Sequence, residues 1–147
     1  MKRFHFPLEN ILHLKKHEET TILAEYSAAV ADLSRAKASS IALKQRLTDE
    51  WQKQQKTLHS TRDPSSLIQH QLGWSYIEDQ IKQAEETLTQ AENEVARLED
   101  KLKHRRQERQ SLESYRQQGE LAHQSKLAKV EQSSLDELAG RGVRNRF

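Results

Sequence analysis

Apolar residues in the first half of the chain fall on alternating steps of four and three. Leu8, Leu12, Ile22, Tyr26, Ala29, Leu33, Ala36, Leu43 and Leu47 follow this 3.5-residue repeat, which keeps one stripe of a helix facing a partner helix. Pro7 suits the start of that helix, because its missing N–H would be unpaired there in any case. Beyond Leu47 the apolar positions shift to Trp51 and Leu58, which reads as a stutter near the end of the arm. Asp63 followed by Pro64 reads as a helix cap and a new first turn. From there Trp74, Ile77, Ile81, Ala84, Leu88, Ala91, Val95, Leu98 and Leu102 keep the three-four alternation without an exception. A short apolar turn of Leu67, Ile68 and Leu72 ahead of Gly73 is expected to cap the hairpin tip separately.

Two heptad arms joined by a short connection run antiparallel, and a bend near Asp63 pairs residues whose numbers sum to roughly 126. Trp51 then lies near Trp74, Leu33 between Ala91 and Val95, Ile22 near Leu102, and Leu12 and Leu14 near Leu112. The same rule sets Arg105 and Arg109, which fall on seam positions of the second arm, opposite Glu18 and Glu19 of the first. A charged layer inside an apolar seam costs stability and opposes register slip, so exchanging Glu19 for Leu is expected to raise the melting temperature.

The predicted fold is all-α, a long two-helix antiparallel coiled-coil hairpin with unequal arms. It is one domain, with arm one at about 7–61, a tip at about 62–66, arm two at about 67–139 and a basic tail at 140–147. The second arm is expected to run out of partner near Gln118, yet Leu121, Leu127, Val130, Leu135 and Leu138 continue an apolar face for about 20 residues, or roughly 30 Å. Nothing else in the chain is left to cover that face, so fraying, self-association or docking on another protein follows. SLDE, from Ser134 to Glu137, reads either as a cap or as mid-helix, and Gly140 and Gly142 read as the helix end before Arg141, Arg144 and Arg146.

Composition narrows the function. The 147 residues are 34% hydrophobic and 31% charged with only four glycines and two prolines, a balance that buries a narrow stripe rather than a thick core. Lys and Arg number 24 against 22 Asp and Glu with the signs interleaved, so bulk charge does not point to nucleic acid, and KLKHRRQER at Lys101–Arg109 reads as a solvated coiled-coil face. There is no cysteine, no run of about 18 apolar residues and no secretory h-region at the start, which together lead us to expect a soluble cytoplasmic protein. His13 and His17 stand i and i+4 but lack a third ligand, so no metal or cofactor is assigned. No glycine-rich phosphate loop, nucleophile-base pair or convergent carboxylates suggest an enzyme. The aromatic start, Phe4-His5-Phe6, packs either on the coiled coil's own end or on a partner, and Tyr26 and Tyr115 read as seam or flank residues.

The opening FHFPLENILHLKKHEE, the central YIEDQI and the late QSLESYRQQGELAHQSKLAKVEQSSLDELA resemble the FliJ family over the whole chain. The resemblance implies a non-enzymatic, cytoplasmic component of the bacterial flagellar type III export apparatus, and so a protein of motility and chemotaxis. Such a protein is built like the central stalk of a rotary ATPase. It would bind and stimulate the ring of the export ATPase, FliI, reach the membrane export gate protein FlhA, and escort export chaperones. It would sit at the cytoplasmic face of the inner membrane at the flagellar base, held there through its partners. On this reading Phe4, Phe6, Leu8, Ile11, Leu127, Val130, Leu135, Leu138 and Arg141 contact the ATPase, while Trp51, Trp74, Tyr76 and Ile77 are the nearest matches to the gate-contacting patch. A generic coiled-coil adaptor and the equivalent stalk of a virulence secretion system are the alternatives.

Overall fold

A computed structural model describes residues 3–60 and 64–144 of the chain. It contains two helices, α1 from Glu9 to Ser60 and α2 from Pro64 to Arg144, of 52 and 81 residues. They form the antiparallel hairpin with unequal arms that the heptads predict. The expected cap at Asp63, the contact of Leu58 and the last arginine, Arg146, lie outside the described side chains.

Contacts divide the chain into two units. The central unit is Thr21–Leu102, and the terminal unit joins Met1–Thr20 with Lys103–Phe147. In the central unit Ile22, Ala29, Ile77, Leu98 and Leu102 are buried, with Tyr26, Leu33, Ala36, Leu43 and Leu47 half-buried on the same α1 stripe. The step from Ala36 to Leu43 is filled by Ser40, the one buried polar residue among those described. Along α2 each residue of the three-four series from Trp74 to Leu102 is at least half-buried, as its periodicity requires.

The stutter is not observed. After Leu47 the inward positions are Glu50, Gln54 and Thr57, in unbroken heptad phase, while Trp51 is 48% exposed. The helix therefore keeps its winding and lines its final turns with polar groups, rather than rotating to bury the tryptophan. The apolar turn at Leu67, Ile68 and Leu72 does not form a separate cap either. It belongs to the first turns of α2, which continues through Gly73, and all three side chains are exposed.

In the terminal unit Phe6 and Leu12 are buried. Pro7 and Leu8 make a turn in which the Glu9 N–H donates to the Phe6 carbonyl at 3.1 Å, so the helix opens at Glu9, two residues after the proline. At the other end α2 passes through Gly140 and Gly142 to Arg144, and neither glycine takes a positive φ. With no left-handed cap the glycines do not stop the helix, so Arg141 and Arg144 occupy its last turn. Ser134 and Glu137 are mid-helix.

Candidate functional site

The terminal unit gathers the residues at both ends of the chain. Phe4 is half-buried against α2, its ring 5.7 Å from that of His123, and Phe6 is buried with its ring 6.0 Å from Tyr115. The aromatic start thus packs on its own hairpin. Gly119 makes this possible, because a Cβ there would stand 2.8 Å from Phe4 Cζ. Glycine seats the ring without displacing it. The start of the chain consequently covers α2 as far as His123, and Leu127 is still half-buried, so cover extends past the expected limit near Gln118.

Beyond Leu127 every described residue of α2 is exposed. Val130, Leu135 and Leu138 are 61–63% exposed, as is Leu121 at 59%, and Arg141 is exposed in the last turn. Of the remaining N-terminal residues, Leu8 is half-buried and Ile11 is 44% exposed. Phe6, expected at a partner surface, is instead a core residue, since the turn at Pro7 folds it inward.

Next to this region lies a charged cluster in the seam. Between Leu12 and Ile22, α1 turns Lys15 and Glu19 inward, and between Leu102 and Leu112, α2 turns Arg105 and Arg109 inward. Arg109 Nε donates to Glu19 and its Nη1 donates to Glu113 at 2.8 Å. Arg106 reaches Glu19 at 3.3 Å, and Arg105 lies 3.5 Å from Glu18. The predicted pairing of Arg105 and Arg109 with Glu18 and Glu19 is therefore present. Lys15 with Glu108 at 3.0 Å, Lys16 with Glu113 at 3.7 Å and Arg116 with Glu9 at 3.4 Å extend it. The hydrogen bond between Lys15 and Glu108 raises the lysine pKa above its ordinary 10.5 and, with Arg105 assisting, lowers that of Glu108 below 4.5. Arg109 is likewise shifted upward, chiefly by its hydrogen bond to Glu19.

In the central unit Trp51 and Trp74 meet edge to face, ring centres 5.4 Å apart. Trp74 is half-buried, with its indole N–H donating to Glu78, whereas Tyr76 is 58% exposed and its hydroxyl accepts from the Gln80 amide at 2.8 Å. Ile77, expected on the same surface, is 3% exposed and belongs to the core, as its seam position requires. Leu67, Ile68 and Leu72, expected as a cap over the tip and not as part of this surface, are exposed near the start of α2. Sequence reasoning missed Gly119 as the seat of Phe4, though the pairing rule carried a few residues further would have found it.

Among the described residues no group of three histidines, cysteines or carboxylates stands ready to hold a metal, and His13 lies 3.4 Å from the Glu9 carboxylate. No described helix is long and apolar enough to cross a membrane. No curated protein and no solved structure matches the chain. A family model described as "Flagellar FliJ protein" matches residues 4–146. Two helices of unequal length, a heptad seam and a family match over nearly every residue lead to one conclusion: the chain belongs to the FliJ family, non-catalytic components of the flagellar type III export apparatus.

Proposed function

We propose that the protein is the central stalk of the export apparatus, binding and stimulating the ring of the export ATPase through its terminal unit and reaching the export gate through the aromatic end of its central unit. The observation that carries the reading is the stretch of α2 after Leu127. Val130, Leu135 and Leu138 stay more than 60% exposed on a stretch of helix that no described residue covers. An isolated helix of this length is marginal in water, and burial of each such side chain is worth about 1.5–3 kcal/mol, so a protein partner gains by covering them. Ile11 and Arg141 extend the surface, and Phe4 holds the start of the chain against α2 beside it. For the gate, the exposed candidates are Trp51 and Tyr76, with Leu67, Ile68 and Leu72 added. Work at the cytoplasmic face of the inner membrane then comes through these partners.

The test is a chain lacking residues 128–147. Cutting after Leu127 spares Gly119 and His123, on which Phe4 rests. Circular dichroism is expected to show a folded hairpin, while co-purification with the export ATPase and stimulation of ATP turnover are lost. Full stimulation by the shortened chain overturns the proposal.

A further inference from the structure

The end of the central unit next to the connection has its polarity reversed. On α1 the inward positions after Leu47 are Glu50, Gln54 and Thr57, and on α2 the inward positions before Trp74 are Ser66 and His70. All five are polar, and all are only half-buried. On the same turns of α2 the apolar side chains of Leu67, Ile68 and Leu72 are 38–67% exposed. Between the connection and the contact of Trp51 on Trp74, no described apolar residue is buried in the seam. Beyond that contact Ile77 is 3% exposed, and the seam continues apolar.

A polar seam can still hold two helices when its groups bond across it, as Arg109 and Glu19 do in the terminal unit. Near the connection the contacts run along one helix instead. Glu50 lies 3.9 Å from Lys53, and the Thr57 hydroxyl donates to the Lys53 carbonyl at 2.9 Å, both within α1. Such contacts do not tie α1 to α2. Gly73 weakens α2 further, because nothing lies within 4 Å of where its Cβ would stand and the helix only loses restraint there. Just inside Ile77, Gln80 donates to the Tyr76 hydroxyl while its own Oε1 is buried without a hydrogen-bond partner. Helical turns draw most of their stability from packing an apolar face, and these turns have little to pack.

We propose that the stretch between the Trp51–Trp74 contact and the connection is an end-piece that opens on its own while the seam from Ile22 to Leu47 stays closed, and that it becomes fully ordered only when a partner covers Leu67, Ile68 and Leu72. A region with few buried apolar contacts opens at a small fraction of the free energy of the whole fold. Trp51 and Trp74 set the boundary, since their edge-to-face contact is the first that joins apolar groups of the two helices. The ordering step rests on the reading that the export gate meets this end of the rod. The independent opening rests on the seam alone.

The experiment is native-state amide exchange on the full chain. Amides of residues 50–57 and 64–73 are expected to exchange at least about a hundredfold faster than those of residues 26–43. Gln54→Leu combined with His70→Leu, which gives this part of the seam two apolar residues, narrows that gap at least about tenfold and leaves residues 26–43 unchanged. Gly73→Ala slows exchange over residues 64–73 by about fivefold, the helix-propensity gain alone. Adding the soluble domain of the gate protein to the parent chain slows exchange over residues 64–73 at least about tenfold. Equal protection of residues 50–57 and 26–43 in the parent, or a leucine pair that changes nothing, overturns the independent opening. Binding of the gate domain with exchange over residues 64–73 unaltered overturns the ordering by a partner. A gate domain that does not bind at all removes the gate reading and the ordering step together, while exchange of the free chain still decides whether the end-piece opens by itself.

Discussion

The terminal and central units are built from the same two helices by different means. The central seam is apolar from Ile22 to Leu47 on α1 and from Ile77 to Leu102 on α2, with one serine set into it. In the terminal unit the seam positions between Leu12 and Ile22 and between Leu102 and Leu112 are charged, and aromatic rings do much of the remaining packing. A uniform apolar seam can slide by a heptad with little penalty. A slide that strands Arg109 away from Glu19 and Glu113 leaves an unpaired charge in a half-buried position. The contrast teaches that stability and register are assigned to different stretches of one seam.

Core truncation breaks the comparison most severely. Leu98→Ala and Leu12→Ala each remove a buried leucine and are expected to cost about 2–4 kcal/mol. The two differ in reach. Leu12 belongs to the terminal unit and Leu98 to the central one, so Leu12→Ala should release amide protection in the terminal unit alone, whereas Leu98→Ala lowers the thermal midpoint of the whole chain. Hydrogen exchange read residue by residue separates these outcomes.

A smaller effect, of opposite sign, is expected from Glu19→Leu combined with Arg109→Leu. Replacing the pair with apolar residues should stabilise by on the order of 1 kcal/mol in a denaturant titration, an amount limited by the partial exposure of both side chains. Glu19→Leu alone gains less than the sequence suggests, since Arg109 then keeps only Glu113. Disulfide trapping between cysteines placed at shifted registers should detect slippage in the double variant and none in the parent.

Gly119→Ala is expected to cost up to about 1 kcal/mol, because the ring of Phe4 must swing from a Cβ built 2.8 Å away while the helix gains from losing a glycine. In the Phe4→Ala background the same change should turn stabilising, by melting temperature.

The smallest effect is in pH. Glu108 has its folded pKa below 4.5, so its contribution is present above that value and disappears as pH falls through the folded pKa. Lys15 has its folded pKa above 10.5, so its contribution is present below that value and disappears as pH rises past the folded pKa. Acid below pH 4.5 should therefore loosen the terminal unit in excess of the central one by hydrogen exchange, with Glu108→Gln removing part of the difference. The Glu94 pKa is also lowered, first by its hydrogen bond to Arg97, but that pair lies three residues apart on one helix and ties no two helices together.

Most of the hairpin was legible in the sequence because a heptad seam is a local signal: each of the apolar residues assigned to α2 from Trp74 to Leu102 turned inward, and the antiparallel rule placed Arg109 beside Glu19. What escaped was set by neighbours rather than by period. Trp51 looked like a seam residue because it is large and apolar, yet helical phase turned Glu50 inward in its place. Gly140 and Gly142 looked like a stop, but a glycine ends a helix only when its backbone turns left-handed, and these do not. For the candidate surfaces, Val130, Leu135 and Leu138 read correctly as uncovered, whereas Phe6 did not, since the turn at Pro7 folds it inward, and Ile77 did not, since its own place in the three-four series already set it in the seam.

The polar residues at Glu50, Gln54 and Thr57 bear on how the chain folds as well as on how it rests. With so little to gather around the connection between Ser60 and Pro64, the apolar contact that stands nearest to it is that of Trp51 on Trp74, which closes a loop of about 23 residues. Isoleucine at all three positions would bring the first contact to position 57 opposite His70, a loop of about 13 residues, which by loop-closure entropy costs roughly 0.5 kcal/mol less and should speed refolding about twofold.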